Sequence, residues 1–170
     1  MNSGLVQFHD SLTDLLVPIS EITPHPDNPR NGDVDAIAES IEVNGFIAPI
    51  IVQKQTRHII AGNHRYYALL QLGASVAPVV VVDISDTAAR RYLLADNRTS
   101  DLGTYDNGVL LELLDYLSEV DGLHGTGYKD SDVEVLRHLA EIPNDYDEFA
   151  TWPTLCVQIP PHVRKAYFAM

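Results

Sequence analysis

The sequence predicts an α+β domain followed by a helical extension. Short apolar runs of strand length recur at 49–53 (PIIVQ), 58–61 (HIIA) and 77–83 (APVVVVD). Other segments repeat apolar residues at i, i+3, i+4 and i+7, the period of one helical face. Glycines and prolines mark the boundaries between the two kinds.

In chain order, residues 1–14 are polar and expected to be loose. LLVPISEI at 15–22 predicts a strand, with Pro18 placing it at an edge. Residues 23–33 hold three prolines and a glycine and predict a loop or lid. Val34, Ile37, Ala38 and Ile41 define a helix that Gly45 ends. The strands 49–53 and 58–61 form a hairpin about the turn Gln55-Thr56-Arg57. A helix over 64–72 follows, and then the strand 77–83, apolar enough to be buried on both faces. Ser85 or Asp86 caps a helix starting at Thr87. Leucines at 110, 113, 114 and 117 mark a helix over 109–120. Ser131 and Glu134 form a capping box for a helix to about Ala140. Residues 143–153 are acidic and aromatic and predict a linker or docking segment, and a strand is expected at 155–159. A helix beginning at Val163 reaches Met170 without a cap, so a longer protein is expected to continue there. The expected divisions are 1–14, 15–101, 102–142 and 143–170.

The most informative stretch is HIIAGNHRYYA, residues 58–68. An apolar strand stops at Gly62, and a helix opens on Asn63, His64 and Arg65. The first turn of a helix leaves N–H groups unpaired and carries the positive end of its dipole. Glycine permits close approach of a ligand to the backbone. Arginine adds a planar cationic fork suited to phosphate oxygens. The pattern predicts an anion site, for phosphate above all.

Composition narrows the function classes. The 170-residue chain is 45% hydrophobic and carries a net charge of −13. Such a field opposes binding to duplex DNA, whose affinity rests on neutralising phosphates. A DNA role then needs a partner or a further domain. Arg90, Arg91 and Arg98 read as a solvated helix face. No apolar run approaches the ~18–20 residues of a membrane span, and the N-terminus lacks the basic flank and apolar stretch of a secretory signal. The single cysteine, Cys156, fits a reducing, cytoplasmic setting and an inert core position. The seven histidines lack paired metal-ligand spacing. Tyr66 and Tyr67 read as core and rim.

Four stretches, taken together, resemble the ParB/sulfiredoxin-like superfamily, specifically the ParB N-terminal domain. They are Pro26-Asp27-Asn28-Pro29-Arg30, SIEVNGFIAPIIV from Ser40, Ala61-Gly62-Asn63-His64-Arg65 with Ala68, and Ala95-Asp96-Asn97-Arg98. Asn97 followed by Thr104-Tyr105-Asp106 and a leucine-rich helix looks like the phage and mobile-element type. The resemblance implies a small mixed sheet packed by helices. It also implies a nucleoside triphosphate, CTP or ATP, bound with Mg²⁺. Gly62, Asn63, His64 and Arg65 would then hold phosphates, with Arg30 clamping from the loop and Asn97 helping from a later helix. Asp96 and Asp101 map to the metal edge. Asn28 and Asp96 are the candidate catalytic positions. A homodimer is left open.

The chain also departs from the family pattern. Asn63-His64 stands where Glu-Arg is frequent, Asn28 where Gln is frequent in connection with hydrolysis, and Ala48 where Gln is frequent. These positions bear on base identity and hydrolysis. Asn63 replaces the cysteine that sulfiredoxin chemistry needs. No short-turn helix-turn-helix is visible after the domain. Three alternatives to a nucleotide switch accompany the resemblance: a metal-dependent DNA nuclease, a small-molecule phosphotransferase with His64 or Asp96 as base, and a docking scaffold.

Overall fold

Because the apolar run near the middle of the chain must be covered on two faces, it takes an interior place in the sheet. The computed structural model describes residues 6–141. Its elements are β1 (Leu16–Pro18), β2 (Thr23–Pro24), α1 (Val34–Asn44), β3 (Ile50–Gln53), β4 (His58–Ala61), α2 (Asn63–Gln71), β5 (Val76–Val82), α3 (Asp86–Asp101), α4 (Asn107–Val120) and α5 (Asp130–Glu141). The sheet is mixed, in the order β1-β5-β3-β4-β2. β3 and β4 form the expected antiparallel hairpin, β5 runs parallel to β3, and β2 runs parallel to β4. Ile22, Phe46, Ile50, Val52, Ile59 and Leu69 are buried in one core. Each such side chain contributes roughly 1.5–3 kcal/mol by leaving water.

The differences from expectation have local causes. Pro18 ends β1 after three residues, and a 3-10 turn over Ile19–Glu21 replaces the rest of the strand. Pro18 cannot donate to a ladder, and Ile19 N–H instead reaches Ser75 O at 3.0 Å. β1 does lie at the sheet edge. Residues 6–14 are not loose. His9 N–H donates to Phe46 O at 3.1 Å, and Phe46 N–H to Gln7 O at 2.7 Å. The Phe8 and Phe46 rings meet edge to face at 5.7 Å, and Leu12 is buried. β5 is buried through Ala77, Pro78 and Val79, but Val81 is 42% exposed. α3 is capped by Ser85, as expected, and runs on to Asp101. The expected box at Ser131 does not form. Asp132 Oδ2 accepts the Lys129 N–H at 2.8 Å, while Glu134 pairs with Arg137.

The hydrogen bonds of buried Gln53 set the position of α3. Its Nε2 donates to Ile84 O at 3.0 Å and to Asp86 Oδ1 at 2.8 Å, and its Oε1 accepts from Thr56 at 2.6 Å. Gln53 thus ties the start of α3 to the sheet. α4 and α5 pack through buried Leu114 and Val133. Their connecting loop rests on α1, where Asn44 donates to Gly125 O at 3.0 Å. The 143–153 segment, the strand at 155–159 with Cys156 and the helix from Val163 lie outside the described residues. Among the described residues no helix is long and apolar enough to cross a membrane.

Candidate functional site

β4 buries Ile59, Ile60 and Ala61, so the chain leaves the sheet at a fixed point. Gly62 then turns it with φ +94°, a conformation that costs an L-residue roughly 1–2 kcal/mol. α1, α3 and α4 are each capped by a side-chain oxygen, from Asp33, Ser85 and Asp106. α2 has no side-chain cap at Gly62. Its first intrahelical bond is Tyr66 N–H to Gly62 O at 3.0 Å, which leaves the N–H groups of Asn63, His64 and Arg65 before it.

Arg65 curls back over this corner. Its Nη1 donates to Ala48 O at 2.5 Å and Pro49 O at 3.1 Å. Those carbonyls are neutral, and among the described residues no carboxylate forms a salt bridge with it. Burial pushes the guanidinium below its ordinary range, and Asp96 opposes that only in part. A half-buried cation without a carboxylate partner is short of negative charge.

The next two predicted residues are differently engaged. Asn63 is 5% exposed. Its Oδ1 accepts the His25 N–H at 3.0 Å, and its Nδ2 donates to Ile59 O at 3.3 Å. The amide is therefore an internal brace, and of Asn63 only the backbone N–H remains at the open start of α2. His64 Nε2 accepts the Gly32 N–H at 2.8 Å. The bonds to His25 and Gly32 go to the proline-rich loop.

That loop crosses to α3. Asn97 Nδ2 donates to Asn28 Oδ1 at 3.1 Å, and Arg30 Nη1 to Asn97 O at 3.0 Å. Arg30 Nη2 pairs with Asp101 at 3.1 Å, and Arg90 pairs with Asp27 at 3.0 Å. A cavity of about 180 Å³ lies beneath, lined by Asn28, Arg30, Gly62, Asn63, His64, Arg65, Asp96 and Asn97. Of the residues singled out in the sequence, Asp101 alone does not line it, because Arg30 holds its carboxylate. Sequence reasoning missed Ser100, which also lines the cavity and donates to Asp96 O at 2.9 Å. Its signal was the four-residue step from Asp96. It also missed Gly32, the loop residue against the His64 ring.

Among the described residues no three His, Cys, Asp or Glu side chains gather as a metal site. Asp96, with the Asn97 amide oxygen in the same lining, still fits Mg²⁺. That ion takes one or two carboxylates and fills its shell with phosphate oxygens and water.

Fold and corner together define a mixed-sheet domain with an anion-receptive strand-to-helix turn beneath a bridging loop. The model of the ParB N-terminal domain matches residues 8–98, and the chain belongs to that family. The chromosome-partitioning protein Spo0J of Thermus thermophilus is 32% identical over 87 residues, covering 48% of this chain and 32% of the relative. A nucleoid occlusion protein of Bacillus cereus is 32% identical over 88 residues, covering 48% and 30%. The matched stretch thus spans about a third of these relatives. Among solved structures, a C-terminally truncated chromosome-partitioning ParB from Caulobacter crescentus, complexed with CTP-γ-S, shares the fold. Its TM-score is 0.62 at 20% identity, covering 79% of this chain and 82% of that one.

Proposed function

We propose that this chain is a nucleotide-binding module of a DNA-related system, taking a Mg²⁺-nucleoside triphosphate, CTP or ATP, in the cavity under the 25–32 loop. One observation carries it: the half-buried Arg65 guanidinium rests on carbonyls with no carboxylate bonded to it among the described residues, beside the uncapped start of α2. A polyphosphate supplies the negative charge both features lack. In this reading the N–H groups after Gly62 cradle phosphate, Arg65 and Arg30 clamp it, and Asp96 and Asn97 hold Mg²⁺. The ion, when bound, neutralises phosphate charge. In the same reading Asn28 and Asp96 orient a water for hydrolysis. Family membership and the CTP-γ-S complex of the Caulobacter protein support the ligand class. The net charge of −13 assigns DNA contact to a partner or a further domain. A cytoplasmic setting and a homodimer remain part of the proposal.

Calorimetry with CTP, ATP, GTP and ADP, with and without Mg²⁺, tests it. One triphosphate binds, and Arg65→Gln weakens it roughly tenfold to a hundredfold, the worth of one charge-assisted contact. Unchanged affinity in Arg65→Gln removes the guanidinium from the site, and no binding by any nucleotide overturns the function.

A further inference from the structure

Asn63 and His64 occupy the first turn of the anion-receptive helix, yet both side chains bond to backbone N–H groups of one loop. Asn63 Oδ1 accepts the N–H of His25 at 3.0 Å, at the start of the loop. His64 Nε2 accepts the N–H of Gly32 at 2.8 Å, at its end. Between these two points stand Asn28 and Arg30, the loop residues that line the cavity.

The contact at Gly32 is shaped as well as bonded. A Cβ at that position would lie 2.8 Å from both Cγ and Nδ1 of the His64 ring, closer than carbon atoms approach. Only a glycine fits against the imidazole. The same Nε2 lies 3.1 Å from Arg30 O. The Gly32 contact is the shorter of the two, and a ring nitrogen that accepts it has no hydrogen to give that carbonyl. On its far side the loop is held to α3 through Asn97. The loop is thus fastened at two ends by α2 and in the middle by α3.

We propose that Asn63 and His64 are positioning residues: they clasp the two ends of the 25–32 loop, keep Arg30 and Asn28 over the cavity, and act on the ligand through that loop. The consequence for affinity rests on the nucleotide-binding function above; the clasp itself does not. A site competent only while its loop is closed binds more weakly in proportion to the time it spends open. A variant whose loop is closed a tenth of the time therefore binds about tenfold more weakly.

The test is the rate of trypsin cleavage between Arg30 and Asn31, followed by mass spectrometry without nucleotide, alongside nucleotide calorimetry. His64→Ala removes the acceptor, and Gly32→Ala expels the ring from the loop side. Both are expected to bind about tenfold more weakly at that closed fraction, and to cleave faster than wild type because cleavage follows the open fraction. His64→Gln offers an amide oxygen to the Gly32 N–H and restores slow cleavage and binding. Melting curves of each variant check that the fold persists; His64 is only half-buried, so the domain tolerates its loss. Unchanged cleavage in His64→Ala refutes the clasp. Weakened binding in both His64→Ala and His64→Gln, with cleavage unchanged, means that His64 touches phosphate directly and overturns the positioning role. Faster cleavage with unchanged affinity overturns the link to the ligand. A wild type that binds no nucleotide overturns the function and that link together, while the order of cleavage rates still decides the clasp.

Discussion

Arg65 lies so close over Gly62 that a Cβ on the glycine would stand 3.1 Å from Nη2 and 3.2 Å from Nε of the guanidinium. The backbone at Gly62, with φ +94°, disfavours a side chain on its own account. Turn and cation therefore depend on the same missing Cβ.

Gly62→Ala is expected to cost roughly 1–2 kcal/mol from backbone strain. That corresponds to a fall in melting temperature of about 2–8 °C for a chain of this size. The methyl group also pushes the guanidinium aside by a few tenths of an ångström, so nucleotide affinity should fall by up to about tenfold, one charge-assisted contact. Melting curves and calorimetry on the same preparation separate the two effects. A variant that melts lower yet binds normally would show that the fork does not meet phosphate.

Asp96 and Asp101 are separable. Asp96 lines the cavity, whereas Asp101 stands outside it in a pair with Arg30, both side chains substantially exposed. Exposed pairs of this kind contribute about 0–1 kcal/mol. Asp101→Asn should thus leave stability nearly unchanged and the Mg²⁺ dependence of nucleotide binding intact. Asp96→Asn should blunt that dependence. Titrating Mg²⁺ at fixed nucleotide checks both, and the opposite order would move the metal edge to the end of α3.

The strand-glycine-helix corner was legible because the apolar period changes there, from a continuous buried run to a helical face within a few residues. Gly62 and Arg65 were read from that change of period; the loop and α3 positions that line the same cavity came from the family resemblance. The side-chain role of Asn63 was not legible. A polar residue at a helix start looks the same in sequence whether its amide meets a ligand or a distant backbone, and its partner His25 lies 38 residues away. Asp101 had the same difficulty with Arg30. Residues 6–14 read as loose because their composition is polar, but Phe8 and Leu12 suffice to anchor them once Phe46 is brought alongside. At α5 the helix opens at Asp130, so Ser131 lies inside it and not at its cap. The Asp132 carboxylate reaches the Lys129 N–H, a choice set by geometry that spacing does not encode.

His25 gives the domain an acid-side weakness. It is 6% exposed, and its ring meets that of His58 edge to face at 5.4 Å. Its Nδ1 accepts the Asp27 N–H at 3.1 Å, a bond that a protonated Nδ1 cannot accept. Burial above all, and then His58 and Arg90, lower its pKa, against opposition from Asp27 and Asp86. A histidine whose folded pKa lies below its unfolded one stabilises the fold fully above the unfolded value of about 6.5. That contribution is lost as pH falls from there through the folded pKa. Melting temperature should therefore drop as pH falls below about 6.5, the unfolded imidazole value. His25→Asn keeps an acceptor for Asp27 but does not titrate, and should flatten that slope. Because His25 begins the loop over the cavity, nucleotide affinity should weaken over the same range in wild type and less in the variant. Parallel melting profiles for the two proteins would place the acid sensitivity on other groups.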